Sequence, residues 1–234
     1  MAIAVVQNIA PGGSNADQGA SSSYTPSSAF TAGNTILVVF SSYSLTGLPT
    51  SVTVNGSACT QDKSWLNGTS HEGLAIWRLS NIAASGNVVV NWSGAGSPDG
   101  NYILRGILEV SGLDPSPVDQ APTATTGTST SASITSGTTT VASELVLAAM
   151  AIVGSDATLT QPSGYTSIAN IGTWSTDAAG AFAYKIVSST GAQTATWGLS
   201  PSGTWGAILV TYKGATGGGG TTNQAVAGKY RILN

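Results

Sequence analysis

Alternation of apolar and polar side chains with a period of two is the feature that most limits what this chain can become. In NYILRGILEVSG, Leu104, Gly106, Leu108 and Val110 fall on one face, and Ile103, Arg105, Ile107 and Glu109 on the other. In TWGAILVTYKG, Ile208, Val210 and Tyr212 are expected to point inward, and Thr211 and Lys213 outward. SVTVNGS and NVVVNWS alternate in the same way. NTILVVF is instead a continuous apolar run bounded by turn residues, as expected of a strand buried on both faces. Gly, Asn, Ser and Pro clusters interrupt these runs every 8–15 residues or so, the punctuation of an all-β sandwich. No amphipathic helix competes with this reading. ASELVLAAMAIVG is rich in Ala and Leu, but its counterpart elsewhere in the chain makes it a strand.

That counterpart belongs to an internal duplication. ILVVF at 36–40 matches LVLAA at 145–149, and VNGSACT matches PSGYTSI with Gly56 opposite Gly164. AIWRL matches FAYKI, pairing Trp77 with Tyr184, Arg78 with Lys185 and Leu79 with Ile186. VVVNWS matches QTATWG, pairing Trp92 with Trp197, and LEVSG matches VTYKG, pairing Gly112 with Gly214. The order never breaks, and the offset falls from 109 (36 to 145) to 102 (112 to 214) as loops shorten. The expected fold is therefore two tandem, closely packed β-sandwich repeats of jelly-roll or immunoglobulin-like type, or one large sandwich with pseudo-twofold symmetry. Residues 1–113 form repeat one, 114–214 repeat two, and 215–234 a Gly-rich tether and C-terminal arm. The join LDPSPVDQAP carries three prolines and suits an extended connection. The Thr-rich stretch that follows, TATTGTSTSASITSGTTT, suits a polar edge strand.

Composition narrows the function. Only 7% of the residues are charged and the net charge is −3. Solubility must come from hydroxyls and amides, and Ser and Thr supply about a quarter of the chain, well above ordinary usage. There is no basic footprint for nucleic acid and no polybasic membrane patch. No apolar run approaches the length of a transmembrane helix. MAIAVVQNIAPGGS has neither a basic segment nor a long apolar one, so no secretory signal is read there. The single Cys59 excludes an internal disulfide and is expected to be a small buried hydrophobe.

Catalytic and metal chemistry find little to work with. His71 is the only histidine, lies in the loop-like NGTSHEG and has no G-x-S-x-G serine to orient. One His and one Cys do not make a zinc site. Glycoside hydrolysis needs two carboxylates across a sugar. The three glutamates, Glu72, Glu109 and Glu144, do not correspond between the repeats. Glu109 is expected on the outward face beside Arg105, as a surface ion pair. Asp99 and Asp156 sit in turn contexts rather than in a calcium loop. No Rossmann or P-loop pattern is present. The expectation is a protein that is not an enzyme and carries no cofactor or metal.

Six tryptophans in so charge-poor a chain are more informative. Trp77, Trp92 and Trp197 are expected to be core anchors. Trp65, Trp174 and Trp205 lie near loops and are the candidates for a sugar-stacking surface. The C-terminal segment is the other candidate. Gly217 to Gly220 form a flexible tether. Beyond them Val226, Tyr230, Ile232 and Leu233 are interleaved with Lys229 and Arg231, a pattern able to add as a strand to a neighbour's sheet edge. Repetition across a symmetric assembly would compensate for a weak single contact.

The series GNTILVVF, GLAIWRLSNIAASGNVVVNWS and ILRGILEVSGL, followed by SELVLAAM, GYTSI and GTWGAILVTYKG, resembles Gly/Ser/Thr-rich duplicated β-sandwich proteins of tailed bacteriophage virions and some bacterial surface proteins. The resemblance covers most of residues 30–214. It implies a non-enzymatic structural role as a capsid decoration, head fibre or tail-associated protein, assembled in the host cytoplasm and exposed on the virion. The partners it implies are the major shell protein or tail and fibre subunits, further copies of the chain in a homo-oligomer, and a host surface glycan. It supplies no catalytic residues. The alternative is a carbohydrate- or receptor-binding adhesion module.

Overall fold

The structure is a computed structural model that describes residues 2–10, 21–43, 48–68, 72–84, 86–92, 103–153, 157–171 and 178–215. Across them the chain is all-β, with several antiparallel sheets and no helix among the described residues. The first sheet takes its centre from β3 (Thr35–Tyr43), β7 (Glu72–Leu79) and β9 (Ile103–Ser111), and its edges from β1 (Ala4–Ile9) and β6 (Thr60–Leu66). Its strand order is β1-β9-β3-β7-β6. A smaller sheet has the order β2-β8-β4-β5, from β2 (Ser21–Tyr24), β4 (Pro49–Val54), β5 (Ser57–Ala58) and β8 (Val88–Trp92).

The remaining strands form the third sheet. Its path is β10-β16-β12-β15-β14, from β10 (Leu113–Val118), β12 (Glu144–Val153), β14 (Thr166–Ile171), β15 (Ala178–Val187) and the 23-residue β16 (Ala192–Gly214). Off this path, β11 (Thr125–Thr138) pairs with β16 between Ala192 and Ala207, and β13 (Thr158–Thr160) pairs with it between Gly198 and Ser200. ASELVLAAMAIVG is accordingly strand, not helix. Its Leu145, Leu147 and Ala149 pack into one apolar cluster, and its Val146, Ala148, Met150 and Ile152 into another.

Among the described residues, three apolar clusters account for the packing. One joins Leu37, Val39, Leu74, Ile76 and Leu108 of the first sheet to Leu147, Phe182, Ile208, Val210 and Tyr212 of the third. The opposite face of the first sheet, with Ile36, Val38, Phe40, Trp77 and Ile107, meets Val52, Val54 and Val88 of the smaller sheet. The opposite face of β12 meets Ala132, Ile134, Ala195, Trp197 and Leu199. The strands β3 and β12 thus lie between two apolar clusters each. That is why their sequences are apolar without alternation.

Burial on both faces corrects two sequence expectations. Glu109 does not point to solvent beside Arg105: it is fully buried, and Arg105 is buried too. The Glu109 carboxylate accepts from the Thr31 backbone N–H (2.7 Å), Asn34 Nδ2 (2.6 Å) and Gln7 Nε2 (2.7 Å). Thr211, expected to face outward, has no exposed surface. Its Oγ1 accepts from the Gln120 backbone N–H at 3.1 Å. In a sheet covered on both sides, the polar half of an alternating pattern is also inside, and it must then be hydrogen-bonded.

The join is extended, as its prolines require. Pro115 and Pro117 fall in the part of β10 between its two pairings with β16, Leu113 with Gly214 and Val118 with Tyr212, where no ladder donor is needed. The Thr-rich stretch is the 14-residue strand β11, paired on one edge with β16 among the described residues. Its exposed hydroxyls bond across the ladder: Thr128 with Thr204, Ser133 with Thr196 and Thr135 with Thr194, each at 2.9 Å. Cys59 is half-buried against the cluster around Trp77, and burial, then the Asp62 charge, push its thiol up to about 12. A thiol held that high carries almost no thiolate near neutral pH.

Candidate binding groove

Two of the three loop-region tryptophans come together. Trp65 and Trp205 line one open groove of about 380 Å³, where the end of β6 meets β11 and β16. Leu66, Asn67 and Gly68 continue the Trp65 side, and Thr126, Gly127, Thr128 and Thr204 form the other. None of these residues is ionisable. The lining offers an indole, an exposed leucine, hydroxyls and an amide, which suits an uncharged ligand with one apolar and one hydroxyl-bearing side.

The two indoles have different roles. Trp205 is 6% exposed, its Nε1 donates to Ser129 Oγ at 3.0 Å, and its ring lies over Gly127, where a Cβ would come within 2.9 Å of Cζ2. It is a fixed wall. Trp65 is only half-buried, packs on the shared apolar cluster, and sets its six-membered ring over Gly206. A Cβ at Gly206 would clash with three carbons of that ring, Cη2, Cζ3 and Cζ2, so glycine is what allows the indole to settle there.

Beside the groove lies a polar contact between the two halves that sequence reasoning did not find. Asp62 is the extra residue of a bulge in β6, between Gln61 opposite Trp77 and Lys63 opposite Ile76. Its carboxylate takes both arms of Arg78, Nε to Oδ2 at 3.0 Å and the terminal nitrogen to Oδ1 at 3.2 Å. The Tyr212 hydroxyl donates to Asp62 Oδ2 at 3.0 Å, and Lys63 Nζ donates to the Ala121 carbonyl at 3.4 Å. Burial raises the Asp62 carboxyl, and the bonds from Arg78 and Tyr212 partly offset it. Burial, then the Asp62 charge, push the Tyr212 hydroxyl well up, so it stays a donor. No sequence signal marks Asp62 apart from its place in a polar strand, because its partner Tyr212 is 150 residues away.

The other sequence candidates divide plainly. Trp77 and Trp197 are buried in the core as expected. The Trp92 side chain lies outside the described residues, as do Trp174, His71, Asp99 and Asp156. The terminal candidates Val226, Lys229, Tyr230, Arg231, Ile232 and Leu233 also lie outside them. Glu72 and Glu144 are buried like Glu109. Burial, with the neighbouring Asp119 adding to it, pushes the Glu144 carboxyl up to about 7. Among the described residues no group of three His, Cys, Asp or Glu could hold a metal ion. Compared with protein-family models, curated proteins and solved structures, the chain matches none.

Proposed function

We propose that this chain is a non-enzymatic structural and adhesive protein of a virion exterior, and that the groove at Trp65 holds a neutral glycan. The observation that carries the adhesive part is the convergence of Trp65 and Trp205 on a groove lined by Asn67, Thr126, Thr128 and Thr204 with no charge. A pyranose ring has an apolar C–H face for the indole and a hydroxyl edge for the threonines. Uronates, sialates and sulfated sugars would find no cation among the described lining residues. Titration with neutral and anionic polysaccharides, followed by calorimetry and tryptophan fluorescence, tests this. Neutral chains are expected to bind, and Trp65→Ala to lose that binding while staying folded. Silence from every neutral chain, or equal binding by Trp65→Ala, refutes it.

The virion setting comes from the sequence resemblance and is a proposal of location. Sedimenting native material in a density gradient tests it, because a virion component travels at a fixed ratio to a shell protein. A chain absent from particles refutes it.

We further propose that the fold is two β-sandwiches from an internal duplication, packed through their larger sheets. Four features support this reading. The strand orders β1-β9-β3-β7-β6 and β10-β16-β12-β15-β14 follow the same rule of succession in each half. Ile36 pairs with Leu79, and their sequence counterparts Leu145 and Ile186 pair with each other. Gly56 and Gly164, matched in sequence, hold φ of 77° and 76° in open turns. The bulge at Gln61/Lys63 has its equivalent at Ser167/Ala169.

A further inference from the structure

We propose that Asp62 and Tyr212 are positioning residues for the groove, fixing β6 against β16 so that Trp65 stays seated over Gly206; the proposal rests on the glycan reading above. The groove is not the property of one sheet. The Trp65 indole comes from β6, in the first sheet, and the Trp205 indole and the hydroxyls come from β11 and β16, in the third. It exists only while an edge strand of one sheet keeps its place on the other.

Beyond its ladder to β7, two contacts hold β6 against β16. Trp65 on Gly206 is the first. The second is three residues earlier on β6 and six later on β16, where the Tyr212 hydroxyl meets Asp62. The acceptor is itself immobile, because Arg78 holds both carboxylate oxygens. The bulge matters here: Asp62 has no ladder partner in β7, so its side chain is free to leave the alternation of β6 and reach the other sheet. Neither Asp62 nor Tyr212 lines the groove. Any effect they have on a ligand must pass through Trp65.

The test uses the full chain and neutral hexasaccharides of glucose, N-acetylglucosamine and mannose as probes. Tyr212→Phe removes one hydroxyl and keeps the packing. Gly206→Ala disturbs the Trp65 seat directly. Both are expected to weaken the best-bound hexasaccharide by roughly three- to thirtyfold, the range of couplings carried by residues that do not touch the ligand. Glu109→Gln, a destabilising change three strands from β6, is expected to leave affinity unchanged, which separates positioning from general loss of stability. Wild-type affinity in Tyr212→Phe and Gly206→Ala would overturn the positioning role and leave the glycan reading standing. Failure of the wild-type chain to bind any of the hexasaccharides would overturn both.

Discussion

Replacing Glu109 by glutamine is the sharpest probe of how this fold tolerates charge inside it. The carboxylate has no exposed surface and ties three separate pieces of chain together: edge strand β1 through Gln7, the turn before β3 through Thr31 and Asn34, and β9 itself. Oε1 serves Thr31 and Asn34, and Oε2 serves Gln7. In Glu109→Gln the amide oxygen can keep the first two donors, but the new NH₂ then faces the Gln7 NH₂. Gln7 cannot turn its amide without giving up its bond to the Ala29 carbonyl at 3.2 Å. One hydrogen bond to a charged acceptor is lost, about 1.5–3 kcal/mol, and two others weaken to neutral bonds. Relief from burying a charge offsets part of this. The expected net loss is about 2–3 kcal/mol, a fall in Tm of roughly 4–12 °C for a chain of this size.

The pH dependence makes the argument specific. Burial pushes the Glu109 carboxyl up, but the bonds from Thr31, Asn34 and Gln7 outweigh it and hold it below 4.5. Its stabilisation is therefore complete above the ordinary carboxylate value and is lost as pH falls through the lower folded value. Urea unfolding of both proteins should show the full gap at pH 7 and a narrowing gap below about pH 4. A gap that stays constant into acid, or one under about 0.5 kcal/mol at pH 7, would mean that the buried carboxylate does not carry this stabilisation.

Two further outcomes follow from buried polar groups. Glu144 behaves oppositely to Glu109: its folded value of about 7 lies above the ordinary 4.5, so its ionisation costs stability as pH rises between them. That span corresponds to roughly 3 kcal/mol at most, so Glu144→Gln should flatten the profile and gain on the wild-type chain at pH 8, measured by urea midpoint. The fully buried Trp197 finds no acceptor for its indole N–H among the described residues. Trp197→Phe should therefore cost little, about 1 kcal/mol, because loss of the unpaired donor offsets the lost volume, whereas Trp197→Ala should cost about 3–5 kcal/mol in the same assay.

The strands were legible in the sequence because burial leaves a periodic trace. ILVVF and LVLAAM are apolar throughout because two clusters claim their alternate residues, and the Pro-rich join and Thr-rich edge announced themselves by composition. The direction of polar side chains was not legible. Glu109 and Thr211 occupy the polar phase of an alternating pattern, which means outward only when one face of the sheet is solvated. The groove was half legible. Trp65 and Trp205 stood out as loop-region aromatics, but their meeting depends on how β6 lies over β16, 140 residues apart, and nothing local to either segment encodes it. Asn67 stood only as part of the loop-like NGTSHEG, and Thr126 and Thr128 as edge-strand polarity, for the same reason.

The position of the groove follows from the packing that surrounds it. A strand buried on both faces has no side chain left to offer a ligand, and β3 and β12 are of this kind. Binding surface must then come from strands at the margin, where one sheet stops and the next continues. β6 is such a margin: β7 is its only ladder partner among the described residues, and its far end carries Trp65 and the exposed Leu66. The apolar surface of β6 is divided between the core beneath, where Trp65 packs, and the groove, which Trp65 and Leu66 line. If the groove had only a packing role, Trp65→Phe would be as harmless as any conservative core change. If it is a glycan platform, the loss of the indole N–H and of ring area should weaken sugar binding while leaving the urea midpoint within about 1.5 kcal/mol of wild type.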